Sequence, residues 1–271
     1  MENELTKTAV LPQLTSQWVG RAYHFYPRIT STNDELKAMA AQSGAGQPPA
    51  GTILVADYQS AGRGRLNRRW EASPGTSLMF SLLLRPNWPG EQLLWLTMIA
   101  SLAAVEAVEP LIRAPAGVKW PNDLMILQSG VWRKWGGLLL EGSVGENGRL
   151  LTVILGVGLN VNMTADQLPE GITPVTSLSL AAGGTLSRAQ LLVDILAGLE
   201  RHYEAAQRGI SPQPLWQKRL ITLGRAVSVS QAGRATLAGE AVGVDEWGQL
   251  LVQAHDGRIH TIAAGDVSLR S

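Results

Sequence analysis

The sequence predicts an α+β protein in two parts, a mixed sheet flanked by helices over residues 1–222 and a small β-barrel over residues 223–271. Three observations carry this. Apolar, β-rich runs at 52–58, 77–84, 137–141 and 150–161 are each bounded by Gly, Pro or Asn, as strands are. Between and around them lie helical patterns, the clearest placing Leu191, Leu192, Ile195, Leu196, Leu199 and Tyr203 on one face. From Gly224 onward short β runs recur between glycines every 8–12 residues or so, the spacing of a small barrel.

In chain order, the N-terminus Met1-Glu2-Asn3-Glu4 carries acid, and no apolar stretch follows, which argues against a signal peptide. Ser31 with Asp34 and Thr32 with Glu35 are overlapping capping signals for a helix running to about Gln42. A Gly/Pro-rich loop leads to the first predicted strand. The window 93–105 is the most apolar of the chain. Thr97 and Ser101 interrupt it and Glu106 closes it short of a membrane span, so it reads as a buried helix. Ser187 caps the long amphipathic helix, and Gly209 is its C-terminal stop. The break at 210–214 holds two prolines, a short helix is expected at 215–220, and the character of the chain changes near Leu223.

Length and composition narrow the function. At 271 residues with 45% apolar side chains the chain can bury a large core. Its formal charge of +1 provides no global field for nucleic acid or anionic membrane, so positive charge acts locally. No cysteine is present, which excludes disulfides, thiolate metal sites and a cysteine nucleophile and makes a cytoplasmic setting the simplest expectation. The histidines His24, His202, His255 and His260 are scattered, the last two expected to flank a barrel turn. Nucleotide phosphate loops of the G-x-x-x-x-G-K-[ST] type, H-E-x-x-H helices and G-x-S-x-G elbows do not occur.

Four motifs remain. Residues 62–70, Gly-Arg-Gly-Arg-Leu-Asn-Arg-Arg-Trp, put four guanidinium groups beside two glycines, a composition suited to wrapping an anionic ligand. By itself this is equally an arginine-rich nucleic-acid loop or a solvated turn. Lys119-Trp120-Pro121-Asn122-Asp123 gathers a cation, an amide and a carboxylate about a rigid turn, which also suits a purely structural turn. Lys134 stands just ahead of Gly136-Gly137 at the start of a strand, where the alternative is a hairpin with an exposed lysine. Gly156-Val157-Gly158-Leu159-Asn160 ends a strand with glycines that permit close approach. Val161 occupies the third glycine position of a dinucleotide fingerprint, so that fold is not indicated. Most of the nine tryptophans are expected in the core, with Trp70 the ligand-side exception.

Taken in order, Ser31-Thr32-Asn33, residues 59–70, 119–123, 134–141 and 156–160 resemble the catalytic core of biotin protein ligases. Residues 239–245, 248–250 and 265–270 are similar to the family's C-terminal SH3-like barrel, so the resemblance spans about Tyr23 to Arg270. It implies a two-step reaction. Biotin and ATP give biotinyl-5′-adenylate and pyrophosphate, and a lysine of a biotin carboxyl carrier protein domain then attacks the mixed anhydride. Two anions meet in the first step, so fixed cations are required, and Arg65, Lys119 and Lys134 are the expected catalytic ones.

The same resemblance implies that Ser31, Thr32, Asn33 and Gln59 hold the biotin head group, with Gly137, Leu139 and Gly156 lining its slot. Gly62, Arg63, Gly64 and Arg65 would close over the carboxylate and phosphate, and Trp70 would wall the closed loop. Lys134 would bridge carboxylate and α-phosphate, Asn160 would face the adenylate, and Asn122 and Asp123 would sit by phosphate and by Mg2+, with Asp123 the candidate metal ligand. Leu66-Asn67 and Trp135-Gly136 depart from the common Arg-Gly and Leu-Ala of the family, and Trp135 is expected to reshape the slot or its wall. About twenty residues precede the first block, too few for a winged-helix domain, so a ligase without DNA binding is expected, off the membrane and as a homodimer through edge strands. The alternatives are a lipoyl- or octanoyl-transferring enzyme, a nucleic-acid-binding module and an inactive biotin sensor or scaffold.

Overall fold

The computed structural model describes residues 3–42, 44–169, 173–231 and 236–269; Arg270, the end of the tail motif, lies outside them. A seven-stranded sheet is built from β1 (Tyr23–Tyr26), β2 (Ile53–Ala56), β3 (Ser77–Leu84), β4 (Ala116–Lys119), β5 (Asp123–Gln128), β6 (Val131–Val144) and β7 (Leu150–Asn160). Its order is β1-β2-β3-β7-β6-β5-β4, with β1 and β2 parallel and every other pair antiparallel, so the sheet is mixed as expected. Every residue of β3 is buried, which is why its sequence reads as an unbroken apolar run.

Short α1 (Lys7–Val10) packs near the N-terminal edge of the sheet. On one face α2 (Thr32–Ala40) covers a small core of Leu36, Ala40, Leu54, Leu83 and Ile154. Ser31 is its N-cap, with Oγ accepting from the Asp34 amide at 3.3 Å. The other face carries α3 (Leu93–Val108) packed on α5 (Arg188–Gln207), with α4 (Leu178–Ala182) and α6 (Gln213–Gln217) completing the helices. With its lead-in turn, α3 reaches the length and hydropathy of a membrane span. Packing, rather than the length on which the sequence reading relied, makes it a core helix: Trp95 to Val105 are all buried. Ser187 caps α5 through the Gln190 amide, and Gly209 takes the left-handed conformation (φ 84°) just beyond it.

Some boundaries differ from expectation. β2 is shorter than 52–58, β6 extends both ways beyond 137–141, and α6 begins at Gln213 because Pro214 is tolerated in a first helical turn. β1, β4 and β5 were not foreseen. β1 and β4 are four-residue strands, too short for period-two alternation to register, and β5 is the partner that turns Lys119–Asp123 into a hairpin.

The C-terminal unit is an antiparallel five-stranded sheet of β8 (Ala226–Ser230), β9 (Leu237–Val244), β10 (Leu250–Ala254), β11 (Ile259–Ile262) and β12 (Asp266–Leu269), ordered β11-β10-β9-β8-β12. His255 opens the β10–β11 turn and His260 lies on β11. This unit docks on the catalytic part through tryptophans. Trp95 Nε1 donates to the Glu246 carbonyl at 3.2 Å, Trp120 Nε1 to that of Gly248 at 2.9 Å, and the Trp95 and Trp247 rings stack at 6.4 Å. Gly248 sits at φ 86°, and a Cβ there would run into the Met98 methyl. Gly248→Ala is therefore expected to lower stability by about 2 kcal/mol, through strain and overpacking at the docking seam. Urea unfolding measures this, and an unchanged midpoint would refute the close docking.

Candidate active site

Strand register lays out the floor of a cavity. Across the sheet, Ser81 of β3, Gly156 of β7 and Leu139 of β6 lie in one row, and Met79, Gly158, Gly137 and Asp123 in the next. Period-two alternation turns these residues to the face that α2 covers, so the two β7 glycines leave a trough. The occupants of the trough are the protein's own side chains. A Cβ on Gly156 would clash with the Asn33 amide, and one on Gly158 would come within 2.7 Å of the Trp70 indole.

At one end a chain of polar groups lines the slot. Gln59 Oε1 accepts from the Thr32 amide at 2.7 Å and from Thr32 Oγ1 at 3.1 Å. The Ser81 hydroxyl lies 2.8 Å from Thr32 Oγ1 and 2.5 Å from Asn33 Oδ1, and Asn33 Nδ2 donates to Glu141 Oε2 at 2.9 Å. Arg63 closes the chain with ion pairs to Glu141 and to Asp34. Burial opposes ionisation of Glu141, but the bonds from Arg63 and Asn33 outweigh it and hold the carboxyl below the usual range.

Cations gather at the other end. The β4–β5 hairpin sets Lys119 opposite Asp123 across the cis Trp120-Pro121 turn, and Lys134 Nζ reaches Asp123 Oδ1 at 2.6 Å. Arg65 Nη1 donates to Asn122 Oδ1 at 2.7 Å and Nη2 to the Gly265 carbonyl at 3.1 Å, while Asn122 Nδ2 donates to the Leu138 carbonyl at 2.8 Å. Asp266, from the C-terminal unit, joins the cavity wall and pairs with Arg68. Burial pulls the pKa of Lys119 below that of an ordinary lysine, against the attraction of Asp123 and Asp266, and lowers that of Arg65 in the same way.

A lysine with a depressed pKa loses its charge earlier as pH rises. The alkaline limb of kcat/KM for adenylation is therefore expected below the usual lysine range, and Lys119→Arg is expected to move it upward. An unmoved limb in a pH–rate profile would exclude Lys119 as the titrating group.

The arginine segment is a hairpin: Arg63 and Arg69 bridge, the Trp70 amide donates to the Gly62 carbonyl at 3.0 Å, and Arg65–Asn67 form a turn at the tip. Leu66 sits there at φ 55°, a region glycine takes without cost, with its side chain exposed.

Of the residues expected at the site, Ser31, Thr32, Asn33, Gln59, Arg63, Gly64, Arg65, Trp70, Lys119, Asn122, Asp123, Lys134, Gly137, Leu139 and Gly156 all line this cavity. Two do not. Gly62 sits at the base of the hairpin, and Asn160 is buried two residues beyond Gly158, its amide donating to the Thr176 carbonyl at 3.2 Å. Trp135 departs from expectation more sharply, because its ring is fully buried in the main core and it is not among the residues lining the cavity. Ser81 was missed, and Arg68, Glu141 and Asp266 fell within the blocks 62–70, 134–141 and 265–270 but were given no role of their own. A lone serine within an apolar strand was the available signal for Ser81; Asp266 gave none, being about two hundred residues from its partners. Among the described residues no group of three or more His, Cys, Asp or Glu could hold a metal ion.

Comparison with known proteins agrees with this geometry. The biotin/lipoate A/B protein ligase family matches residues 25–160, and the biotin protein ligase C-terminal domain matches residues 222–270. The bifunctional ligase/repressor BirA of Bacillus subtilis is 32% identical over 98% of this chain and 79% of its own length. The biotin--[acetyl-CoA-carboxylase] ligase of Mycobacterium tuberculosis is 33% identical over 88% of this chain and 85% of its own. Among solved structures, the biotin protein ligase from Aquifex aeolicus in complex with biotin and ATP superposes with a TM-score of 0.72, at 31% identity, over 91% of this chain and 97% of that one. The chain belongs to the biotin/lipoate A/B protein ligase family and carries that family's biotin protein ligase C-terminal domain.

Proposed function

We propose that the protein joins biotin to ATP, forming biotinyl-5′-adenylate and pyrophosphate, and transfers the biotinyl group to a lysine of a biotin carboxyl carrier protein domain. One observation carries this reading: a slot of paired donors and acceptors opens into a cluster of three buried or half-buried cations within one cavity. The biotin ureido ring presents both N–H and C=O groups, which Ser31, Thr32, Asn33 and Gln59 complement. A lipoyl or octanoyl chain offers no ureido N–H or C=O to the remaining hydrogen-bonding capacity of those side chains, and a site built for polar groups rejects analogues that lack them.

In the first step a biotin carboxylate oxygen attacks the α-phosphorus and pyrophosphate departs. Lys134 would lie between the two anions, with Arg65 and Lys119 on the phosphate, and Lys134 and Arg65 would each exchange a protein partner for a ligand oxygen. Closure of the arginine hairpin keeps water from the mixed anhydride. In the second step a neutral carrier lysine attacks the acyl carbon and AMP leaves.

Mg2+ neutralises phosphate charge when bound. Mg2+ in such sites takes one or two carboxylates plus phosphate oxygens, and Asp123 fits that limited demand. The outer edge of β1, which pairs with no further strand among the described residues, supports a homodimer by strand pairing, which sedimentation with and without biotin and ATP would test. The near-neutral charge supports a protein that does not bind DNA, which a salt-dependent binding assay would test.

The test of the full reaction is transfer to a purified carrier domain, read as an avidin-reactive band that requires biotin, ATP and Mg2+. Labelling that proceeds without ATP, or that requires lipoate in place of biotin, would refute the reading.

A further inference from the structure

β6 is irregular at one point. Against β5, Asp123 pairs with Gly137, Leu124 with Gly136 and Met125 with Lys134, so Trp135 is an extra residue and Trp135-Gly136 together oppose Leu124. Such a bulge changes which way the preceding side chains point. Gly137 and Leu139 face the cavity while Leu138 and Leu140 pack on the core. Strict alternation back from Gly137 would put Trp135 in the cavity and Lys134 in the core. With the bulge the indole is fully buried, and the Lys134 ammonium lies over Gly137, where a Cβ would be 3.4 Å from Nζ.

The neighbouring chain holds this arrangement. The Lys134 amide donates to the Pro174 carbonyl at 2.7 Å and its carbonyl accepts from Thr176 at 2.8 Å. Gly136 leaves room for the ring's side of the strand: a Cβ there would lie 2.6 Å from Leu159 Cδ2 and 3.0 Å from the Gly158 carbonyl. The Trp135 N–H has no hydrogen-bond partner, so the ring is kept in the core by its shape and apolar surface alone.

We propose that Trp135 is a positioning residue for adenylation: burial of its indole holds the β6 bulge, and the bulge turns Lys134 toward the reacting groups. This rests on the assignment of Lys134 to the adenylation step. The polar end of the biotin slot, Thr32, Asn33, Gln59 and Ser81, lies on α2, β3 and the segment after β2, none of them on the bulged strand.

The test is a double-mutant cycle of Trp135→Ser with Lys134→Ala, read by biotin-dependent pyrophosphate exchange. Trp135→Ser is expected to lower kcat at least tenfold with KM for biotin changed less than threefold, and to have no further effect on kcat in the Lys134→Ala background. Trp135→Phe, which keeps the ring and removes the unpaired N–H, is expected to retain kcat within threefold. If the serine variant does not fold, Gly136→Ala takes its place, since it crowds the bulge while leaving the indole. Equal loss of kcat from the Trp135 change with and without Lys134, or full kcat in Trp135→Ser, would overturn the proposal. Full kcat in Lys134→Ala alone would instead overturn the assignment on which it rests, and a structure of Trp135→Ser would then still show whether Lys134 had turned to the core.

Discussion

Replacing Lys134 by alanine is expected to lower the rate of biotin-dependent adenylate formation by a hundredfold or more. Both reactants are anions, and the pentavalent transition state concentrates further charge on oxygens that water solvates poorly once the cavity is closed. One well-placed donor at such a site is worth roughly 3 kcal/mol. Lys134 is placed for this by the β6 bulge, and its ammonium is held by Asp123 at 2.6 Å until a ligand oxygen competes for it. Removing it also leaves Asp123 without its ion-pair partner and facing incoming phosphate. The effect should fall on kcat, because the slot contacts at Thr32, Asn33 and Gln59 remain. Pre-steady-state measurement of adenylate formation checks this, and a variant with wild-type kcat would remove Lys134 from the chemistry.

Gly156→Ala is expected to weaken biotin binding while leaving ATP binding nearly unchanged. The new methyl would occupy the space of the Asn33 amide, which bridges Ser81 and Glu141. Displacing it breaks the buried bond to Ser81 and the half-buried one to Glu141, whose other partners Thr32 and Arg63 remain, and leaves the Asn33 amide unpaired at about 1–3 kcal/mol. KM for biotin should rise by roughly ten- to a hundredfold by the same figures, with KM for ATP within a factor of about two. Isothermal titration with biotin alone checks the first part. Unchanged biotin affinity would mean that Asn33 does not form the slot.

Local signals carried much of the fold. Ser31 and Ser187 cap α2 and α5 as their spacing indicates, and the run 77–84 became β3 without a change of boundary. These features depend on residues within a turn or two of one another. What sequence did not disclose depends on pairing across the sheet. The bulge at Trp135 exists only because β5 lies alongside, and before that pairing is known a tryptophan beside a site lysine reads as a wall of the site. Ser81 gains its meaning when register sets it beside Gly156 under Thr32 and Asn33. Gly156 and Gly158 were legible as points of close approach, but not that Asn33 and Trp70 are what approaches.

The C-terminal unit illustrates the same limit. Its strands were legible from glycine spacing, whereas its contribution to the cavity through Gly265 and Asp266 depends on how Trp95, Trp120 and Trp247 dock it. Asn160 shows the converse case. Its position beside the glycines suggested a ligand contact, yet its amide is engaged with the Thr176 carbonyl.

The most direct test of the central claim is exchange of labelled pyrophosphate into ATP, run with biotin, lipoate or octanoate as the acid. The slot and cation cluster predict exchange with biotin and none above background with the other two. Exchange driven by lipoate or octanoate, or no exchange with any acid by folded protein, would contradict the assignment of this cavity to biotin adenylation.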